Sequence, residues 1–173
     1  PPQNPASGII YCTTRKQCDS LAKLLQQCGI SCVSYHAGIS SSDRVRVQQS
    51  WKNNQVQIVV ATIAFGMGIN KPDVRFVIHY HLPKNLEGYY QEIGRGGRDG
   101  ERSDCIFYYN ENDPIVYKQM TDKKSKQIRD SDSNFKQKKL EMAKNEMQKM
   151  YDMIGFIENE TDCRHILLAN YFG

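Results

Sequence analysis

The stretch GIIYCTTRKQCDSLAKLLQQCGISCVSYH, residues 8–36, contains two short apolar runs separated by an amphipathic segment. Gly8–Cys12 and Ser31–His36 have the length and the β-branched content of buried strands. Between them, Lys16–Gln27 carries leucines at helical spacing, and Gly29 is a residue type that ends helices. The stretch therefore predicts a strand, a helix and a second strand, which is the repeating unit of parallel sheets.

The alternation of strand and helix continues as far as residue 109. Short β-branched strands separated by helices favour parallel pairing with right-handed crossovers. We therefore expect an α/β fold with an open, doubly wound, mostly parallel sheet and a ligand site at the carboxyl ends of its strands. The remaining predicted strands are Val56–Ala61, Val74–Tyr80 and Asp104–Tyr109, and the remaining predicted helices run from a cap within Ser40–Ser42 through Lys52 and over Asn85–Ile93.

The C-terminal third is predicted to be helical and carries a basic excess. Residues 118–149 hold ten Lys/Arg and five Asp/Glu, a net charge of +5, whereas the whole chain carries +4. Such an excess can help to hold a polyanion, although a solvated helix face has the same composition. We predict helices at Glu111–Met120, Phe135–Met153 and Asp162–Tyr171, the last with Thr161 or Asp162 as its N-cap, and a mobile loop at Asp122–Asn134.

Composition places the chain among globular proteins, because 39% of its residues are hydrophobic and 24% are charged. Its apolar runs fall far short of the roughly 20 residues that span a membrane, so we expect no membrane partner. The opening PPQNPASG is not a signal peptide, and we expect residues 1–7 to be a linker in a piece of a longer protein. None of the six cysteines forms a C-x2-C pair. A chain of this length without a secretion signal does not have the pattern of a disulfide scaffold, so we expect a reducing compartment with mostly structural thiols.

The segment QEIGRGGRDG, Gln91–Gly100, gives the strongest chemical signal. Arg95 and Arg98 lie three residues apart among four glycines. Arginine supplies a permanent charge and a bidentate fork for phosphate oxygens, and glycine lets the backbone approach another surface closely. The segment predicts a phosphate-facing loop, with a surface turn carrying two exposed arginines as the alternative.

The second signal is ATIAFGMGINKPDVRFVIHYHLP, Ala61–Pro83, in which a glycine-punctuated loop joins two predicted strands. Thr62 lies at the end of the first strand, where hydroxyl and backbone N–H groups can meet a phosphate. Gly66 and Gly68 leave room there for a backbone or a ligand. We expect the histidines of the second strand and its exit, His79 among them, to have structural or hydrogen-bonding roles.

Together the two segments resemble motifs V and VI of superfamily 2 helicases, and the QE-x-GR-x-GRDG form resembles the RecQ family, in particular its Bloom-type branch. SGIIYC from Ser7, YHAG from Tyr35 and DCRHILLANYFG from Asp162 resemble further segments of the same family. The resemblance implies a second RecA-like motor domain, residues 8–117, followed by the helical start of a zinc-binding subdomain, residues 118–173.

The resemblance further implies an ATP-dependent, 3′-to-5′ DNA helicase. Its expected cofactors are ATP, Mg²⁺ and Zn²⁺. Its expected partners are single-stranded and forked DNA and a first RecA-like domain in cis. The family also implies a nuclear location and a part in DNA repair, recombination and replication.

Roles for individual residues also come from the resemblance. Arg98 is the expected arginine finger for the γ-phosphate, and Arg95 is expected beside it at the nucleotide or in an ion-pair network within the motif. Gln91 is expected to link the nucleotide state to the DNA. The expected DNA-binding residues are Thr62, Gly66 and Gly68, with Thr13, Thr14 and Arg15 as weaker candidates and His36 facing the nucleic-acid groove. Cys163 corresponds to the first of four zinc ligands.

Two departures from the family pattern are Gly96 and the Asp122–Asn134 region, which is longer than the family's usual connector. Gly96 stands where the family has alanine, which loosens the loop and weakens placement of the finger. The chain contains no G-x-x-x-x-G-K-[ST] and no DEAH-like box, so we expect negligible ATP hydrolysis by the chain alone. A single cysteine cannot complete a zinc site that needs four ligands, so we expect no zinc on the isolated chain.

Two other functions stay open. One is a stand-alone RecA-like module that binds nucleic acid or a protein without turnover, and upstream sequence distinguishes it from a helicase. The other is half of a DEAD-box RNA helicase, which is disfavoured because Gln91 and Glu92 stand where that group has His-Arg.

Overall fold

The computed structural model describes residues 6–66, 69–110, 112–130 and 135–173. The chain divides into two compact units, one of Pro1–Leu82 with Tyr90–Tyr109 and one of Pro83–Tyr89 with Asn110–Gly173. In chain order the elements are β1 (Ser7–Tyr11), α1 (Arg15–Gln27), β2 (Cys32–Tyr35), α2 (Ser41–Lys52), β3 (Ile58–Ala61), β4 (Val74–His79), α3 (Leu86–Ile93), β5 (Asp104–Phe107), α4 (Asp113–Asp130), α5 (Lys136–Glu158) and α6 (Arg164–Phe172).

The five strands form one parallel sheet in the order β2–β3–β1–β4–β5. The first strand lies in the middle: the chain next forms β2 at one edge, returns to place β3 between β2 and β1, and then crosses to β4 and β5 on the other side of β1. Reversal of direction about a central strand is the mark of a doubly wound sheet. The predicted α/β fold with a parallel sheet is confirmed.

Successive residues of the central strands are buried on opposite faces of the sheet, as the pleat requires. Ile9 packs on the face that also buries Trp51 of α2. Ile10 packs on the other face, with Cys18 and Ala22 of α1. Helices α1 and α2 therefore cover opposite faces, and the core lies in two layers on either side of β1, β3 and β4.

The ends of the first two helices follow from local side-chain chemistry. Thr14 and Gln17 form a capping box at the start of α1: Thr14 Oγ1 accepts from the Gln17 N–H at 3.2 Å, and Gln17 Oε1 accepts from the Thr14 N–H at 3.0 Å. Gly29, at φ +79°, donates its N–H to Gln26 O and ends the helix as predicted. Ser40 caps α2, again as predicted.

Four predicted strands are longer than the observed ones, namely Ser31–His36, Val56–Ala61, Val74–Tyr80 and Asp104–Tyr109, and the first strand is shifted by one residue. The Val56 N–H donates to Ser50 O at 3.3 Å, so Val56 belongs to the turn that follows α2 and β3 begins only at Ile58. Strand β5 ends at Phe107, although the Tyr108 N–H still donates to the neighbouring strand. These differences are of the size expected for element boundaries.

The predicted mobile loop at Asp122–Asn134 is wrong as far as residue 130, because α4 continues to that residue. The segment is charged, but it contains good helix formers and no Gly or Pro. Thr121 donates its hydroxyl to Tyr117 O at 3.0 Å, so its polar side chain is satisfied inside the helix. Residues 131–134 lie outside the described residues.

The predicted N-cap of the last helix is also wrong. Cys163, rather than Thr161 or Asp162, holds the N-cap position of α6, and it makes no side-chain capping bond. The N–H groups of Thr161 and Asp162 instead donate to Asn159 Oδ1 at 3.1 and 2.8 Å. This Asn-centred turn keeps both residues out of the helix.

Helix α5 is the longest element and passes its predicted end at Met153 to reach Glu158. Lysine and glutamate are frequent along it. Among the described helices, none combines the length and the apolar character needed to cross a bilayer.

Candidate functional site

The carboxyl ends of the parallel strands lie together at one edge of the sheet. Tyr11 of β1 is in register with Ala61 of β3 and with His79 of β4, and Tyr35 of β2 is in register with Ala61. The residues that follow these strands therefore reach the same place. We call it the strand-end edge, and it gathers the predicted site residues Thr13, Arg15, His36 and Thr62.

At the start of α1, the structure separates three candidates that are adjacent in sequence. The Thr14 hydroxyl is used by the capping box, whereas Thr13 and Arg15 are exposed. A Cβ placed on Gly38 would lie 3.2 Å from Arg15 Cδ, so the stem of Arg15 passes close to the loop after β2. Thr13 and Arg15 are therefore the accessible residues of this group.

His36 is buried, and both of its ring nitrogens are used by this chain. Nδ1 accepts from the Gly38 N–H at 3.1 Å, so Nε2 carries the proton that faces Asp19 Oδ1 at 3.0 Å. Partial burial opposes ionisation of Asp19, but hydrogen bonds from Ser34 and His36 outweigh it and hold the pKa of Asp19 below its usual value. His36 thus ties α1 to the loop after β2, and sequence reasoning missed Asp19 because the two residues meet only in the fold.

Thr62 begins a tight turn at the end of β3. The Phe65 N–H donates to Thr62 O at 2.9 Å, and the Ala64 N–H reaches Thr62 Oγ1 at 3.4 Å. Phe65 is fully buried, with ring centroids 4.7 Å from Tyr35 and 5.4 Å from Trp51. The phenylalanine anchors the turn and leaves its polar start at the strand-end edge.

The two arginines of the glycine loop both bind the segment that joins β3 to β4. Arg95 Nη1 donates to Gly66 O at 2.6 Å, and Arg98 Nη1 donates to Ile69 O at 3.1 Å. The two acceptors lie on either side of residues 67 and 68. The predicted site residue Gly68 lies outside the described residues. Arg98 is exposed and also donates through Nε to a carbonyl of its own loop, at 3.1 Å. The loop and the segment are therefore joined at two points.

The neighbouring aspartate of the loop has a different role. Asp99 forms an ion pair with Arg75 of β4, and Asp99 Oδ1 accepts from the Glu101 N–H at 3.1 Å. This contact fastens the loop to the sheet. It also distinguishes Arg75, whose charge is paired with a carboxylate, from Arg95 and Arg98, whose hydrogen bonds go to neutral carbonyls.

Glycine is required in the loop by close contacts. Gly97 has φ +60°, and a Cβ there would lie 2.5 Å from Glu101 O. A Cβ on Gly96 would lie 2.3 Å from Ser103 Oγ and 2.9 Å from Ser103 Cβ. Ser103 Oγ is buried and makes no hydrogen bond within the described residues. Ser103 therefore fills the space over Gly96. The expectation that glycine at position 96 loosens the loop was made without knowledge of this contact.

A buried polar group under the arginines was not predicted. Tyr11 stacks on His79 at 5.5 Å between ring centroids, and His79 Nε2 lies 2.7 Å from Glu92 Oε2. All three side chains are buried. The hydrogen-bonding role expected for His79 is confirmed, but nothing local in the sequence indicated Tyr11, which has the pattern of an apolar strand residue. Gln91, by contrast, is exposed on α3 one turn before Arg95.

The far end of the β3–β4 segment is held by a buried lysine. Lys71 Nζ donates to Asn54 Oδ1 at 2.6 Å and to Asp73 at 3.2 Å, and it lies 5.6 Å from the centre of the Trp51 ring. The segment is thus fixed by Phe65 at one end and by Lys71 at the other. The arginines bind it between these two anchors.

In the second unit, Cys163 is exposed at the N-cap position of α6. Its chemistry suits a zinc ligand, but a structural zinc site needs four. Within the described ranges, no group of three or more His, Cys, Asp or Glu side chains could hold a metal ion. These residues therefore supply one donor and do not form a metal site by themselves.

Two sequence families match this chain. Residues 2–100 match the family described as helicase conserved C-terminal domain, and residues 112–173 match the family described as RecQ zinc-binding. The chain is 45% identical over 168 residues to the RecQ-like DNA helicase BLM of Xenopus laevis, covering 96% of this chain and 12% of the relative. It is 42% identical over 166 residues to the ATP-dependent helicase SGS1 of Saccharomyces cerevisiae, covering 96% and 11%. The chain thus spans a small fraction of these relatives.

Solved structures of DEAD-box proteins share the fold. A DEAD-box protein of Methanococcus jannaschii aligns with a TM-score of 0.57 and 28% identity, covering 83% of this chain and 33% of that chain. The Escherichia coli protein SrmB aligns with a TM-score of 0.55 and 25% identity, covering 61% and 62%. The sheet is therefore RecA-like, as predicted.

Proposed function

The chain belongs to the RecQ family of DNA helicases, and we propose that it works as the second motor domain of an ATP-dependent helicase that moves 3′ to 5′ along DNA. One observation supports this most directly. Both arginines of the glycine loop bind the segment that joins β3 to β4 and begins with Thr62 at the strand-end edge: Arg95 donates to Gly66 O and Arg98 donates to Ile69 O. A residue that serves ATP and a turn that serves DNA are thereby connected.

Arg98 is the arginine finger in this proposal. It is exposed, and its partners are neutral carbonyls, so its positive charge is not neutralised within the loop. Charge that develops on a transferred phosphoryl group would be stabilised by such a guanidinium. The rest of the ATP and Mg²⁺ site belongs to a first RecA-like domain in cis, because this sequence has no P-loop. The chain alone should therefore not hydrolyse ATP at a useful rate.

Arg95 has a supporting role in the same proposal. Its Nη1 bond to Gly66 O points its guanidinium toward the β3–β4 segment. That contact fits an internal network better than direct contact with nucleotide, although the network consists of hydrogen bonds rather than ion pairs. Gln91, exposed one turn earlier on α3, links the nucleotide state to the DNA in this proposal.

The DNA-binding part of the proposal lies at the strand-end edge. Thr62, the backbone near Gly66 and Gly68, Thr13 and Arg15 would hold phosphates of single-stranded or forked DNA. These are backbone contacts, which fix position without reading sequence. His36 is better assigned to positioning, because it is buried and both of its ring nitrogens are already used.

The second unit is proposed to begin a zinc-binding subdomain, with Cys163 as one ligand. When bound in a complete site, zinc would supply structural cross-linking and no chemistry. The family further suggests a nuclear protein of DNA repair, recombination and replication. Both suggestions rest on the relatives' family rather than on the geometry of the described residues.

The decisive test is Arg98→Ala in the longest natural polypeptide that contains this chain. DNA-stimulated ATP hydrolysis should fall by roughly 10³- to 10⁵-fold while nucleotide binding is largely kept. Arg102→Ala is the matched control, because that exposed arginine lies four residues on and its side chain forms an ion pair with Asp104. Hydrolysis that survives Arg98→Ala, or falls equally in both variants, would exclude Arg98 as the finger.

A further inference from the structure

The hydroxyl of Tyr11 holds the turn that follows β3. Tyr11 is the last residue of β1, is 4% exposed, and donates its hydroxyl to Phe65 O at 2.9 Å. The acceptor lies 54 positions away in sequence, so the bond joins the central strand to the end of the Thr62–Phe65 turn. A buried carbonyl without this donor would lose its hydrogen bond.

The next carbonyl along the chain is held by Arg95. Arg95 Nη1 donates to Gly66 O at 2.6 Å. The Arg95 side chain also comes within hydrogen-bonding reach of Tyr11, and its Nε is buried without a partner in the described residues. Tyr11 and Arg95 therefore act on adjacent carbonyls of one turn, and on each other.

Tyr11 and Arg95 are also connected to each other through His79 and through Glu92 of α3. The Tyr11 ring stacks on His79 with an angle of 23° between the planes, and His79 bonds Glu92 of α3. The Arg95 N–H donates to Glu92 O at 3.3 Å, three residues back along the chain. A closed series of contacts thus runs from Phe65 through Tyr11, His79, Glu92 and Arg95 to Gly66.

Tyr11 keeps its proton under all ordinary conditions. Burial raises the pKa of the Tyr11 hydroxyl above its usual value, and the nearby Arg95 guanidinium opposes this rise only in part. The hydroxyl is therefore a constant donor rather than an acid or base. Its contribution is geometric.

We infer that Tyr11 is a positioning residue that transmits DNA binding at the Thr62–Phe65 turn and the adjoining Gly66 to the glycine loop that carries Arg95 and Arg98. This inference rests on the proposed function, since it assigns DNA to the turn and ATP to Arg98. Phosphate binding at the turn would fix Phe65 O and Gly66 O, and Tyr11 and Arg95 would pass that fixation to Arg98, three residues further on. Without the hydroxyl, DNA binding at the turn would have a weaker effect on the position of Arg98 in the loop.

The test is Tyr11→Phe in the longest natural polypeptide that contains this chain. The ring and its stack on His79 stay, and only the hydroxyl is lost. The DNA concentration that gives half-maximal stimulation of ATP hydrolysis, measured with a poly-thymidine single strand, should rise about fivefold, as for the loss of one net hydrogen bond. ATP hydrolysis without DNA should stay within about twofold of the parent value.

Tyr108→Phe is the matched control, because it removes a hydroxyl from an exposed tyrosine of the same unit. It should leave both rates and the half-maximal DNA concentration unchanged. Glu92→Gln is a second variant of the same shape, which weakens the support of His79 and should shift the half-maximal DNA concentration in the same direction. It provides the readout if Tyr11→Phe does not fold.

Two results would overturn the inference. One is an unchanged half-maximal DNA concentration in folded Tyr11→Phe protein. The other is an equal fall of hydrolysis with and without DNA, which would indicate a structural role only. Arg98→Ala, assayed in parallel, separates these failures from failure of the proposed function. If Arg98→Ala abolishes hydrolysis and Tyr11→Phe has no effect, only the role of Tyr11 is wrong.

Discussion

In the glycine loop, the effect of a substitution at position 96 on stability depends on the side chain at position 103. Gly96 stands where the resemblance predicts alanine, and Ser103 occupies the space that an alanine methyl would need. We predict that Gly96→Ala destabilises the protein by about 1–3 kcal/mol, because an overpacked methyl must displace Ser103 or the loop. Adding Ser103→Gly should restore part of the loss despite the roughly 0.5–1 kcal/mol cost of a flexible glycine.

Urea unfolding followed through Trp51 would measure this effect. Trp51 is the only tryptophan and is fully buried in the first unit, so its fluorescence reports unfolding there. Gly155→Ala is the control, since a Cβ on that helical glycine meets nothing within 4 Å. A double variant less stable than Gly96→Ala alone would show that Ser103 is not the obstacle.

Residue types were predicted better than residue contacts. Arg95 and Arg98 stand out in sequence because arginines among glycines suit phosphate, and the structure places them in one loop, with Arg95 half-buried and Arg98 exposed. That each binds a carbonyl 29 positions away could not be predicted, because such bonds depend on the crossing of two segments in the fold. The same reason hid Asp19, which meets His36 only when α1 lies against β2.

At the scale of elements, α4 shows that a charged segment predicted to be a loop can be helical. We predict that Ser125→Pro disrupts α4, because proline removes one helical hydrogen bond and clashes with the preceding turn, at a cost of roughly 3 kcal/mol. Far-UV circular dichroism should show lost helix, and amide exchange should accelerate around Ser125. Ser125→Ala should keep both signals. Unchanged helix content and exchange in the proline variant would favour the loop that the sequence suggested.

The elements of the sheet were predicted correctly in type and order, because alternation of apolar runs with amphipathic segments is a strong signal. The ends of strands and helices were predicted less accurately than their types, since the turns at Val56 and at Asn159 depend on particular hydrogen bonds. The helix over residues 113–130 is longer than predicted, because a polar, charged segment without Gly or Pro is compatible with either a helix or a loop. In such segments, tertiary packing decides.

Over the whole molecule, charge and candidate contacts lie in different units. The +5 excess of residues 118–149 belongs to the second unit, whereas Thr13, Arg15 and Thr62 belong to the first. We predict that single-stranded DNA binds this chain weakly, with little base preference. Affinity should fall about 20-fold from roughly 50 to 200 mM salt if about three phosphates are neutralised.

Two variants would show which unit carries the binding. Arg15→Ala should reduce the slope of log affinity against log salt by about 0.7, the contribution of one phosphate contact to a single strand. Lys126→Ala, a change of an exposed residue of α4, should leave the slope unchanged. The opposite pattern, measured by fluorescence anisotropy, would assign DNA binding to the helical unit.

The contact between residues 96 and 103 also constrains the order in which the loop can change during evolution. From the present sequence, alanine at position 96 is expected to cost stability unless the side chain at position 103 shifts or becomes smaller, because the methyl and Ser103 Oγ would lie 2.3 Å apart. In reverse, a lineage with alanine at 96 is expected to lose stability when it acquires serine at 103 in this conformation. The two positions are therefore expected to vary as a pair among descendants of this sequence, with intermediates that carry glycine at one site or the other.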